Sequence, residues 1–430
     1  VRLAQQLFPG MMITPVGAQA ASAGGGSGYV APSLKAENSP GGAVEDLQAL
    51  AREMSGGYGL SVPFIEGDLN MAGVGTVTYR HGNRLVAFGH PMFEQGITRF
   101  PMAPARINEV VRSITRPFKL GEPLGQVGLV VQDRLPAIGG VFGEGADMFP
   151  LHCVVDDPSY GGCREFNFRI WNDRDMSPML NMVAIQEATA AAGRASGNVA
   201  TLFQYSMAFD DGTSFTKEEY FADTYGGTTA AFMVGADLGT MTTNPFRRVR
   251  PTRVEFSVRV ADRLPEARIV VGTVDQETYR PGDAVTVEWE MQPYRKPRER
   301  HRFSFRLPEN LADGSYELTL GDSKTRTAVD ASRNPGGERI YDYEALVDLI
   351  HRHYPRNKVY VTLADQDTGV TVRGEELPRL PASIIGTFQD TVEPVHLAPV
   401  RGNLLVDAEV VTPYDVSGSV KTTITVRRRI

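Results

Sequence analysis

The stretch Gly75-Thr76-Val77-Thr78-Tyr79-Arg80-His81-Gly82-Asn83-Arg84-Leu85-Val86-Ala87-Phe88-Gly89-His90-Pro91 decides how the chain is read. Thr76 to Tyr79 alternate and are rich in β-branched residues, which predicts a strand. Leu85 to Phe88 predict its partner. Between them Gly82-Asn83 is a two-residue loop, and glycine at its first position suits a type II′ turn, whose twist matches the strands. Past the second strand, Gly89 permits a sharp turn and Pro91 biases His90 toward extended backbone. An imidazole is therefore expected at the rim of a sheet on a stiff segment. A general base belongs in such a place; a structural or merely exposed histidine is the blander alternative.

Outward from the hairpin the same texture continues. Leu60 to Ile65, Gly125 to Val131 and Ile138 to Phe142 read as short strands punctuated by glycine, which fits a barrel or sandwich better than βαβ units. Ala105 to Ile114 predicts a short helix, as does Val44 to Met54, which ends before Gly56-Gly57. The clearest helix runs from Ser177, as N-cap with Pro178 behind it, to Ala192. Leu202 to Phe209 and Ala230 to Leu238 are expected to be sheet or covering helix, with an acidic loop from Asp210 to Tyr225 between them. Leu3 to Val16 suggests a short helix and strand, followed by the flexible connector Ala23 to Gly28.

The pattern changes near Pro245 to Pro251, where a domain boundary is placed. Val254, Phe256, Val258 and Val260 alternate, as do 284–290, 303–307, 316–320, 404–411 and 420–426, which is the pattern of an immunoglobulin-like sandwich. One helix, Tyr343 to His353, interrupts it. The chain thus divides into 1–57, an N-terminal segment with a linker, then 58–245, and then 250–430.

With 430 residues, 42% hydrophobic and 22% charged, the chain has material for two or three ordinary cores. No run approaches the ~18 apolar residues of a membrane-spanning helix, so no transmembrane segment is expected. A formal charge of −7 without an aromatic-basic groove argues against nucleic acid. The basic runs Arg295 to Arg302 and Arg427 to Arg429 read as solvated loop and strand end, either of which could dock an acidic partner. No CxxC or HExxH spacing occurs, and neither a metal site nor a cofactor is expected.

The run Ala87-Phe88-Gly89-His90-Pro91, after Gly75-Thr76-Val77-Thr78 and before Pro101-Met102, resembles the SpoIVB-type serine peptidases, especially their large secreted bacterial members. Phe118 to Gly128, Gln132-Asp133-Arg134 and Ile138-Gly139-Gly140 continue the resemblance, which covers about residues 58–152. It implies a mainly β, chymotrypsin-like barrel-type peptidase domain with a few helices, hydrolysis of a protein or peptide substrate, and His90 as the base. The chain departs from the family in one respect, since the family's GMSGSP nucleophile motif is missing. Ser55 and Ser196 share only a Ser-Gly pair with it and read as loop residues. The chain opens on Val1, so the expectation is a serine upstream of it, or a member that has none.

A histidine base needs a partner on its second ring nitrogen. Asp133 at a strand end is one candidate and Asp68 another; alternatively Asp133 pairs with Arg134 or caps a turn. Cys153 and Cys163 flank a turn between strand-like runs and are expected to form a disulfide, stabilising by about 3 kcal/mol, with two free thiols as the alternative. The expected protein is a secreted, periplasmic or envelope serine endopeptidase. The other possibility is a catalytically inactive structural or interaction protein of the cell envelope that keeps the peptidase fold.

Overall fold

Residues 59–142 close a barrel of six strands. The computed structural model describes residues 46–112, 118–159, 161–192, 199–223, 226–261, 265–335, 339–365, 368–372, 375–377, 380–392 and 397–428. Leu3 to Val16, the connector Ala23 to Gly28 and Ser196 lie outside them. The barrel strands are β1 (Gly59–Gly67), β2 (Met71–His81), β3 (Arg84–Ala87), β4 (Gly96–Val111), β6 (Gly128–Arg134) and β7 (Ala137–Phe142), with β5 (Phe118–Pro123) paired outside on β4. Neighbours run β1-β2-β3-β7-β6-β4, and β4 returns to β1 at Leu60↔Pro104 and Ser61↔Ala103. Inward side chains such as Val62, Phe64, Val77, Ala87, Met102 and Ile138 are fully or almost fully buried. Six strands enclose little room, so one wall must be nearly bare: a Cβ on Gly140 would fall 2.4 Å from Met102 Sδ.

The predicted hairpin is present. His81 pairs with Arg84 around Gly82-Asn83, and Gly82 alone of the two loop residues has positive φ (57°), as a type II′ turn requires. The predicted helix from Ala105 is instead the second half of β4, whose Ala105 to Val111 are zipped to β5. There Arg106 and Glu122, directly opposite each other, form an ion pair at 3.1 Å. Pairing across the sheet overrides the local helical spacing.

The sheet continues from β1 through β9 (Gly162–Trp171) and β8 (Met148–Asp157) to β12 (Pro251–Ala261), β10 (Val199–Phe209) and β11 (Ser214–Asp223). β12 lies between β8 and β10, parallel to the first, and Val254, Phe256, Val258 and Val260 bury into this core. The alternation after Pro251 is therefore a strand of the first sheet, and the boundary placed at 245–250 does not end that sheet. The expected acidic loop likewise contains β11, hydrogen-bonded to β10 along its length. Helices α2 (Ser177–Ala192) and α3 (Gly226–Thr242) pack together over this extension, after α1 (Leu47–Glu53) near the start of the chain. Asp173, not Ser177, caps the entry to α2: its carboxylate accepts the N–H of Asp175 and Met176, and Ser177 is buried inside the helix.

Beyond it, β13 (Glu266–Val274), β15 (Ala284–Pro293), β16 (Glu299–Arg306) and β23 (Asp415–Ser417) form a four-stranded sheet. A five-stranded sheet comprises β14 (Thr278–Tyr279), β17 (Gly314–Gly321), β18 (Lys358–Ala364), β22 (Leu404–Val411) and β24 (Ser419–Val426). Trp289, Tyr279, Leu318, Val361 and Ile424 belong to their common core. A small third sheet contains β19 (Thr368–Val372), β20 (Glu375–Leu377) and β21 (Leu397–Arg401), with helix α6 (Ala382–Thr391) between β20 and β21; helix α4 (Ser323–Arg333), which follows β17, contacts β18 and β21. Helix α5 (Tyr343–His351) crosses over: its Tyr343, Leu346 and Ile350 are buried in the first core. Among the described residues no helix is long and apolar enough to cross a membrane.

Candidate functional site

His90 stands where β3 has ended and the chain turns toward β4. Two successive residues with positive φ, Phe88 (74°) and Gly89 (75°), make that turn. For phenylalanine this conformation is unfavourable, and packing must offset it. The Phe88 ring lies directly against Gly75, where a Cβ would fall 2.2 Å from Phe88 Cδ1, and the Phe88 N–H donates to the Thr76 carbonyl at 3.0 Å. Gly75 and Phe88 thus form one unit, and it sends His90 outward. Lys119 adds an ammonium at the same edge, donating to Thr76 Oγ1 at 2.7 Å.

The His90 ring is exposed, 5.7 Å from the Phe88 ring, and its Nδ1 is 2.7 Å from the Pro91 carbonyl oxygen. A carbonyl only accepts, so this contact keeps the proton on Nδ1 and leaves Nε2 as the basic nitrogen of the neutral ring.

Asp133, on β6, does not hold the imidazole. Its fully buried carboxylate accepts the backbone N–H of Met92 (2.8 Å), Phe93 (2.8 Å) and Gln95 (3.3 Å). This candidate partner of His90 instead ties down the loop that follows it, which is the turn-capping alternative. Phe93 fixes the same loop from the other side, packing against Phe64 and Phe100 at centroid distances of 5.8 and 5.7 Å. Asp68 is occupied elsewhere, accepting the Asn167 N–H at 2.7 Å and so joining the β1 end to β9. Ser55 lies exposed in a turn after α1, where its carbonyl accepts the Tyr58 N–H at 3.0 Å.

The expected disulfide is absent: Cys153 and Cys163 are free, one buried and the other exposed. In the β8–β9 ladder Cys153 faces Phe166, while Cys163 faces Asp156. An offset of three positions is about 10 Å and puts the thiols on opposite faces, beyond the ~7 Å Cα separation that a disulfide tolerates. Burial raises the Cys153 thiol far above the ordinary thiol range.

Sequence alone did not reveal the roles of Gly75, Phe88 and Phe93. A glycine in an otherwise β-branched strand was the available signal, since it marks close approach by another group. Comparison with family models, curated proteins and solved structures finds no match to this chain.

Proposed function

We propose that the barrel is a SpoIVB-type serine-peptidase domain of chymotrypsin-like kind, with His90 as general base, in a secreted or envelope protein. The C-terminal pair of sheets is then an immunoglobulin-like spacing or docking unit. The observation that carries the proposal is the state of His90: an exposed ring on a rigid rim, with Nδ1 committed to a carbonyl. In the proposed chemistry Nε2 takes the proton of a serine hydroxyl as its Oγ attacks the scissile carbonyl. The imidazolium then protonates the departing amine, and water hydrolyses the acyl-enzyme. The serine is assigned to no residue of this chain and would be supplied from outside Val1–Ile430.

A second reading, an inactive envelope protein that keeps the fold, is favoured by one specific observation. Asp133 binds backbone amides rather than the imidazole, so no carboxylate is assigned to stabilise a histidine cation. A fluorophosphonate probe applied to the full natural gene product separates the two. The peptidase reading expects one labelled serine, with labelling lost in His90→Ala at unchanged melting temperature. No labelling of the parent protein, or equal labelling of the variant, favours the inactive reading.

A further inference from the structure

A groove begins where the His90 loop ends. Its first part, about 350 Å³, is bounded by Gln95 to Arg99 at the start of β4, by Trp171 to Arg174 after β9, and by Arg248 to Pro251 ahead of β12. A second hollow of about 370 Å³ adjoins it, sharing Arg174, Thr242 and Arg248 as a common wall.

Five guanidinium groups line this groove on a chain whose formal charge is −7. Two are compensated: Arg247 pairs with Asp211 (3.4 Å) and Glu344 (3.3 Å), and Arg250 lies 3.7 Å from Asp147. Asp173, the other acid of the lining, is spent on the α2 entry. Arg174 donates to a neutral carbonyl, that of Thr243 at 3.1 Å. Among the described residues, no carboxylate pairs with Arg99, Arg174 or Arg248. Close-set uncompensated cations raise the local potential and await an anionic partner. Two apolar side chains are set among them, Ile97 at 79% exposure and Phe246 at 41%.

The backbone offers a third element of recognition. β4 pairs with β6 on one edge, whereas β1 joins its other edge only at Ala103 and Pro104 before turning to β9. Over Ile97 to Arg99 that second edge lines the groove and is taken by no strand among the described residues, whereas Phe100 is fully buried beneath it. An open edge beside a cleft accepts an extended peptide as an added strand.

We infer that the groove binds an extended acidic peptide segment with interspersed apolar residues, its backbone laid along Ile97 to Arg99 and its carboxylates on Arg99, Arg174 and Arg248. The exposed Ile97 and Phe246 favour a peptide over a bare inorganic anion, which would leave them unused. Calling that peptide a substrate rests on the peptidase proposal; its binding does not.

The test is fluorescence anisotropy with a labelled Glu/Leu peptide, its Lys/Leu counterpart, and inorganic phosphate as competitor. The parent protein should bind the acidic peptide, more weakly as salt rises, and should not bind the basic one. The Arg99→Glu/Arg248→Glu double variant, altered only at exposed positions, should keep its melting temperature and bind about tenfold more weakly or worse. His90→Ala should bind like the parent whether or not the histidine is a base, so the two proposals fail separately. The assignment is overturned if the parent does not bind the acidic peptide, if the double variant binds it undiminished, or if phosphate displaces it at matched charge concentration.

Discussion

Asp133 on β6 holds the backbone N–H of Phe93 at 2.8 Å, across 40 residues of chain. The contact makes the loop after His90 part of the barrel wall, because the same carboxylate also takes the amides of Met92 and Gln95. Removing it strands those N–H groups and empties a buried site. Asp133→Ala should cost about 2–4 kcal/mol in urea unfolding, and Asp133→Asn less, since one acceptor oxygen remains. If Asp133 mattered only through the imidazole, Asp133→Ala would leave the unfolding midpoint in place.

Gly75 and Phe88 should behave as a coupled pair. Gly75→Ala puts a methyl group inside the Phe88 ring, so Phe88 must leave its position and the turn leading to His90 must relax. The expected loss is about 1–3 kcal/mol, and much of it should vanish in a Phe88→Gly background, where the clash is gone and glycine adopts the positive φ readily. Additive losses in the double-mutant cycle would show that the two positions act independently.

The two cysteines should differ sharply toward an alkylating reagent. Cys163 is exposed and should react in the native protein, without prior reduction. Cys153 is buried and its thiolate is strongly disfavoured, so it should react only on unfolding. Mass spectrometry after iodoacetamide treatment would find one adduct in native protein and two in denaturant. Two adducts under native conditions would contradict the packing of β8.

The central hairpin was legible because period-two alternation, a two-residue loop and its glycine are all local signals. The position of His90 at the strand end was legible for the same reason. Where the sequence misled, the deciding contact lay far away in the chain. Ala105 to Val111 carries helical spacing, yet β5 makes it a strand. Val254 to Val260 announces a strand but not its sheet, and its partners are β8 and β10. Cys153 and Cys163 flank a turn, but the ladder register separates them. Asp133 sits near a strand end as expected, while its choice of amides over the imidazole depends on the path of the loop after Pro91.

Asp211, in the turn between β10 and β11, faces Arg247 and lies at the docking point of α5. Burial penalises its charged form, but hydrogen bonds from Thr213, Tyr343 and Arg247 outweigh that and hold the carboxyl below its ordinary value. A carboxyl lowered by folding contributes stability above its unfolded pKa of about 4, and that contribution is lost as pH falls through the lower folded value. Neutral pH therefore retains the full contribution, and the loss begins only below about pH 4. Because α5 buries Tyr343, Leu346 and Ile350 in the first core, acid should loosen this junction. Asp211→Asn should lower the urea midpoint at neutral pH and show a shallower further decline below about pH 4 than the parent. Tyr343→Phe, which removes only one of the hydrogen bonds, should lie between them. Parallel acid limbs in parent and Asp211→Asn would show that other carboxylates set the acid stability and that this junction does not sense pH.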